Sequence, residues 1–140
     1  MSGEFIDTNV FIYLFDETDA RKRGIADRLV RSALETRSAC ISHQVVQETL
    51  NVVTHKLPFP MSPENAQRFL QQILTPLWRV MPSTALYQRG LDLQARYDFS
   101  FYDALIVAAA LESGSTRLYT EDLLHGQKIE GLLVENPFVD

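Results

Sequence analysis

The chain has one cysteine in 140 residues, so no disulfide can form within it. Cys40 lies in the apolar stretch Ala39-Cys40-Ile41 and reads as a small buried side chain. Neither an oxidising compartment nor a thiolate metal site has its usual marker. Long apolar runs are missing as well. The longest, Ala104 to Leu111, falls well short of the about 20 residues needed to cross a bilayer. No Lys or Arg precedes Arg21, which argues against a signal peptide. A cytoplasmic protein with no membrane association is the expectation. Phosphate loops of the form G-x-x-x-x-G-K or G-x-G-x-x-G are absent, as is the G-x-S-x-G elbow of many hydrolases. His43, His55 and His125 show no paired metal-ligand spacing and read as surface or capping residues. The aromatic residues fall mostly in apolar runs, which suits a core better than a base-stacking platform.

What remains is an ordinary globular composition, with 46% hydrophobic and 22% charged residues, long enough to bury a core. One domain spanning 1–140 is expected. Short apolar runs alternate with helical patterns, which predicts an α/β fold around a parallel sheet of about five strands. Phe5-Ile6, Ala39-Ile41, Trp78-Met81, Arg117-Thr120 and Leu132-Val134 read as the strands. Asp19, Ser42, Ser62-Pro63 and Ser100 read as helix starts. The helix after Pro63 is expected to bury Ala66, Phe69, Leu70, Ile73 and Leu74.

Four acids stand inside or beside apolar segments: Asp7, Glu48, Asp103 and Asp122. Carboxylates seldom leave water without a partner, and a hard divalent cation prefers oxygen ligands. Asp7 ends the first strand, a favoured place for chemistry in open parallel sheets, though it also suits an N-cap. Asn9 could orient it, or serve a local turn. Glu48 lies on the border of its helix's apolar arc, where it could also reach solvent. Ser100-Phe-Tyr-Asp103 fits a capping box, yet the helix beyond is apolar all round, and its positive end would favour an ionised Asp103. Asp122 follows Thr120 past a strand and could instead cap a turn; Glu121 most naturally faces water.

The net charge of −5 seems to argue against a nucleic-acid partner. Setting the four acids aside leaves 14 against 13 Lys and Arg, so bound cations would offset much of the excess. Arg21, Lys22, Arg23, Arg28 and Arg31 read as a solvated helix face, with phosphate contact as the alternative.

The segments Phe5-Ile-Asp-Thr-Asn-Val-Phe-Ile-Tyr13, Ser42-His-Gln-Val-Val-Gln-Glu48, Phe101-Tyr-Asp-Ala-Leu-Ile-Val-Ala-Ala-Ala110 and Leu118-Tyr-Thr-Glu-Asp122 resemble the PIN-domain ribonucleases. Within them the likeness is greatest to the VapC-type toxins of bacterial toxin–antitoxin pairs. The ending Val134-Glu-Asn-Pro-Phe138 fits too, so the resemblance spans almost the whole chain in order. It implies a three-layer α/β/α sandwich and a Mg²⁺-dependent endoribonuclease, with Mn²⁺ able to substitute. Asp7 and Asp103 match the principal metal ligands of the family, Glu48 the third acid and Asp122 the fourth. Thr120 matches a hydroxyl position near metal and phosphate. The resemblance also implies a small antitoxin partner and a homodimer.

Rival readings are a non-catalytic PIN-like module that binds RNA or protein, and an RNA-processing nuclease without an antitoxin. A haloacid-dehalogenase-like phosphoryl-transfer enzyme would place an aspartate where Asn9 stands. A phosphate-accepting receiver would need a late lysine, poorly supplied by Lys22, Lys56 and Lys128.

Overall fold

A computed structural model of the chain describes residues 3–139. Among these residues the strands are β1 (Glu4–Ile6), β2 (Ala39–Ser42), β3 (Trp78–Val80), β4 (Arg117–Tyr119), β5 (Lys128–Ile129) and β6 (Leu132–Glu135). They form one sheet in the order β3-β2-β1-β4-β6-β5. All neighbouring pairs are parallel except β5 with β6. β5 is the strand that the sequence reading lacks. Its two residues are too few to show a periodicity, and it pairs only through the tight turn at Glu130-Gly131, where Glu130 takes φ +56°.

The helices are α1 (Thr8–Tyr13), α2 (Ala20–Thr36), α3 (His43–His55), α4 (Pro63–Phe69), α5 (Thr75–Leu77), α6 (Thr84–Tyr97) and α7 (Phe101–Glu112). The expected caps hold: Asp19, Ser42, Ser62 and Ser100 each accept a backbone N–H from their helix's first turn. Parallel neighbours need crossover connections, which are right-handed almost without exception. The steps β1 to β2 to β3 run one way across the sheet, and the step from β3 to β4 runs back. That reversal puts α6 and α7 on the face opposite α1–α5, giving the expected three-layer α/β/α sandwich.

The segment 63–77 departs from the single regular helix that its pattern predicts. A π-helical turn, Leu70–Leu74, separates α4 from α5. It lies just before Pro76, which lacks an N–H and clashes with the carbonyl four residues back. The wider turn changes the buried set: Phe69, Leu74 and Leu77 enter the core, while Ala66, Leu70 and Ile73 stay partly exposed. Phe69 and Leu74 are five apart, the repeat of a π turn rather than an α turn.

The rest of the core follows the sequence. Ala104 to Ala110 of α7 are all buried, as its uniformly apolar pattern requires. α6 meets α7 closely at Gly90, where a Cβ would stand 2.7 Å from the Leu105 Cδ2. The sheet order sets the location of the chemistry. Between β1 and β4 the connections depart in opposite directions, which opens a crevice beyond their carboxyl ends. Asp7 follows β1 there, and Thr120 follows β4.

Candidate active site

Asp7 occupies the single position between β1 and α1. Its backbone N–H donates to the Tyr119 carbonyl at 3.0 Å, which fixes it against the end of β4. Its Oδ1 accepts the Thr8 N–H at 2.7 Å, and its Oδ2 accepts the Thr120 hydroxyl at 2.7 Å. The residue is only 4% exposed. Burial pushes its carboxyl up to about 7. The two hydrogen bonds oppose that rise, and the charges of Asp122 and Glu48 add to it. Asp7 is thus both an N-cap and a buried acid, so the two readings of it are compatible.

Glu48 sits midway along α3 and turns inward rather than to solvent. Its Oε1 accepts the Thr8 hydroxyl at 2.6 Å, and its Oε2 accepts Gln44 Nε2 at 3.2 Å. Gln44 Nε2 also donates to the Tyr102 carbonyl at 3.2 Å, tying α3 to the start of α7. Asp103 lies in the first turn of α7, its N–H donated to Ser100 Oγ at 3.2 Å. The Asp122 Oδ2 accepts Asn9 Nδ2 at 3.1 Å. Desolvation raises the Asp122 pKa, the Asn9 bond works against this, and the charge of Asp103 adds to it.

Asp7, Glu48, Asp103 and Asp122 line one cavity of about 500 Å³. Thr120 is fully buried behind the cavity and meets it through its hydrogen bonds to the lining residues Asp7, Asn9 and Asp122. The donor set suits a hard divalent cation, since the cavity offers carboxylate oxygens and no sulfur or imidazole. Buried Asp7 has no basic side chain bonded to it among the described residues, and a cation would meet that need. Even so, among the described residues no three His, Cys, Asp or Glu side chains converge closely enough to hold an ion as they stand. Magnesium keeps several of its waters and is commonly held by one or two carboxylates, so the set fits with water completing the shell.

Several supporting residues were not legible in the sequence. Thr8 and Gln44 hold Glu48; the Gln44–Glu48 spacing of one helical turn is the signal that could have found this pair. Asn9 bonds Asp122 and Thr120 rather than Asp7, because its side chain reaches toward the end of β4. Glu121 does not face water: its Oε1 accepts the Tyr13 hydroxyl at 2.6 Å and its Oε2 pairs with Lys22 Nζ at 2.5 Å. Lys22 therefore leaves the solvated basic face expected for its helix, while Arg21 stays exposed and donates to the Phe138 carbonyl at 2.6 Å. His55 and His125 are exposed, as expected of them, whereas His43 is half-buried and its Nδ1 has no hydrogen-bond partner among the described residues. Tyr102 departs from the core role given to the aromatics, being 63% exposed on the cavity wall.

The sequence profile of the PIN domain matches residues 5–125. None of the curated proteins matches the chain. Solved structures share its fold. The VapC20 toxin of Mycobacterium tuberculosis, described as cleaving the sarcin–ricin loop, is 24% identical with a TM-score of 0.63, over 86% of this chain and 90% of that one. A DNA-bound VapBC of Salmonella typhimurium is 21% identical with a TM-score of 0.68, over 96% and 98%. FitAcB of Neisseria gonorrhoeae is 21% identical with a TM-score of 0.62, over 96% and 98%.

Proposed function

Because the chain belongs to the PIN-domain family, we propose that it is a divalent-metal-dependent endoribonuclease, the toxin of a VapBC-type toxin–antitoxin pair. One observation carries the reading: the topological reversal between β1 and β4 brings four sequence-distant acids to one cavity, where the buried Asp7 has no basic partner among the described residues. The described residues build around one sheet, which supports one nuclease domain.

Asp7 and Asp103 would hold Mg²⁺ or Mn²⁺, with Glu48 and Asp122 acting directly or through water. When bound, the ion supplies Lewis acidity toward a phosphodiester and lowers the pKa of water. The chain's own residues do the rest. Thr120 and the Thr8 N–H fix the Asp7 carboxylate and favour its ionised form. Thr8 and Gln44 point both Glu48 oxygens inward. Asn9 holds the Asp122 carboxylate in the cavity wall. Such fixed geometry removes the reorganisation that free carboxylates would undergo during reaction.

An apolar cavity adjoins the acidic one and shares Ile12 and Asp16 with it; Phe15, Leu57 and Phe59 also line it. It would suit the tail of a small antitoxin that covers the acids. A structural neighbour from Klebsiella pneumoniae that is a toxin–antitoxin complex supports an antitoxin partner. A homodimer in the cytoplasm belongs to the same reading.

Incubation of the purified chain with labelled RNA, with and without Mn²⁺, tests the activity. Cleavage that requires the ion and vanishes in both Asp7→Asn and Asp103→Asn is expected. Undiminished cleavage by both variants refutes the assignment, and binding without cleavage points to a non-catalytic module. Growth arrest on expression, relieved by a small neighbouring reading frame, separates a toxin from a processing nuclease.

A further inference from the structure

We propose that the acidic cavity is the middle of a groove for single-stranded RNA, with Tyr102 stacking on a nucleobase at one end and Lys56 holding a phosphate at the other. The inference rests on the nuclease reading and adds the path of the strand. α3 supplies Gln44, Glu48, Asn51 and Val52 to the cavity wall, and Lys56, which caps the helix's C-terminal end, extends it. These positions share one helical face and span about 18 Å along the axis. Glu48 lies about 6 Å along that axis from Gln44 and about 12 Å from Lys56. A single hydrated ion needs no wall of this length, whereas a polymer crossing the acids does.

The two ends differ in chemistry. At the Gln44 end stands Tyr102, whose carbonyl accepts Gln44 Nε2 at 3.2 Å. Tyr102 is 63% exposed beside Asp103, and the neighbouring Phe101 ring packs edge-on against its ring with centroids 5.4 Å apart. A large aromatic surface held open to solvent next to the acids is the kind of platform on which an unpaired base stacks. At the other end Lys56 is the only basic residue among those lining the cavity. Among the described residues it has no carboxylate partner, in contrast to Lys22, Arg31, Arg89, Arg96 and Arg117. The wall also carries five carboxylates, those of Asp7, Asp16, Glu48, Asp103 and Asp122. A polyanion entering there gains from a free ammonium group beyond them. Duplex RNA keeps its bases stacked away from such a ring, so the groove selects a single strand.

Fluorescence anisotropy on the full chain tests this, using fluorescein-labelled octauridine with Ca²⁺ in place of Mg²⁺ and a gel to check that the probe stays intact. Tyr102→Ala is expected to weaken binding about tenfold or more, and Tyr102→Phe to bind like the parent. An octamer with abasic sites should be bound equally by parent and Tyr102→Ala. Lys56→Gln should reduce the slope of log affinity against log salt by about 0.7. If the parent binds and cleaves RNA while Tyr102→Ala and Lys56→Gln bind as it does, the groove is overturned and the nuclease reading stands. A parent that neither binds nor cleaves RNA overturns both. Equal affinity for duplex RNA overturns the groove. So does a change of sedimentation coefficient in Tyr102→Ala with RNA affinity unaltered, which would assign the ring to a contact between copies of the chain.

Discussion

The Thr120 hydroxyl donates to the Asp7 carboxylate across 2.7 Å in a place from which water is almost wholly excluded. The same oxygen accepts the Asp122 N–H at 3.1 Å and lies 3.5 Å from Asn9 Nδ2. One hydroxyl therefore links the acid after β1 to the loop after β4. Thr120→Val keeps the shape and removes all three links. A buried hydrogen bond to a charged or polar group is worth about 1–3 kcal/mol, so a loss of that size is expected in denaturant unfolding. Mn²⁺ affinity should fall about tenfold, because the ionised form of Asp7 loses a donor that favours it. Calorimetric titration of Mn²⁺ into Thr120→Val and Thr120→Ser checks this, with Thr120→Ser behaving like the parent.

Burial of Asp7 also makes a prediction about stability and pH. Its pKa is raised from an ordinary carboxylate value to about 7 in the fold, so between about pH 4 and pH 7 the native state binds a proton that the unfolded chain does not. Stability of the metal-free protein then falls as pH rises across that window, by about 4 kcal/mol in total. The contribution is complete below the unfolded pKa and is lost on passing the folded one. Asp7→Asn, neutral throughout, should flatten the curve. Urea unfolding in EDTA at several pH values measures the slope; a parent stability that rises from pH 5 to pH 7 contradicts the assignment.

Much of the site was legible because its signals are local. Phe5-Ile6 before Asp7 marks a strand end, and Ser100 before Asp103 marks a helix start; each needs only a few neighbouring residues. The apolar pattern of 104–110 likewise gave away a buried helix. What stayed hidden depends on strand order. Asn9 and Asp122 are 113 positions apart, and they meet because β1 lies beside β4, which no periodicity in either segment states. Glu121 reads as solvent-facing in the sequence because its partners, Tyr13 and Lys22, come from α1 and α2, about a hundred positions away. The π turn before Pro76 was missed for a different reason: an apolar pattern read at 3.6 residues per turn cannot show a change of phase within it.

Metal uptake should itself release a proton. An ion held by Asp7 requires the carboxylate, so at pH 6 binding displaces the proton that the raised pKa keeps there. About one proton per Mn²⁺ is expected at pH 6, with affinity falling about tenfold for each pH unit below 7. Titration in buffers of different ionisation enthalpy counts the protons. At 100 times its dissociation constant the ion should stabilise the fold by about 2.7 kcal/mol, and EDTA should remove that gain. Uptake without proton release would mean that Asp7 is not a ligand.

The last prediction concerns how Asp122 is kept in place. Glu121, directly before it, is gripped by Lys22 and by the Tyr13 hydroxyl. The Lys22 ammonium also donates to the Tyr13 hydroxyl at 3.1 Å and lies over the Tyr13 and Phe138 rings. Burial raises the Glu121 pKa, but the bonds from Lys22 and Tyr13 outweigh it and hold the carboxyl below its usual value. These three side chains come from α1, α2 and the loop after β4, so their contact fixes that loop against the helices. Lys22→Met should loosen the loop that carries Asp122, leaving only Asn9 and Thr120 to hold it, and lower kcat for RNA about tenfold with KM nearly unchanged, as for an interaction felt mainly in the transition state. Glu121→Gln should do the same, and exchanging the pair, Lys22→Glu with Glu121→Lys, should restore most of the rate. A clamp that matters only for folding would lower Tm in the single variants while their folded fraction cleaved RNA at the parental kcat.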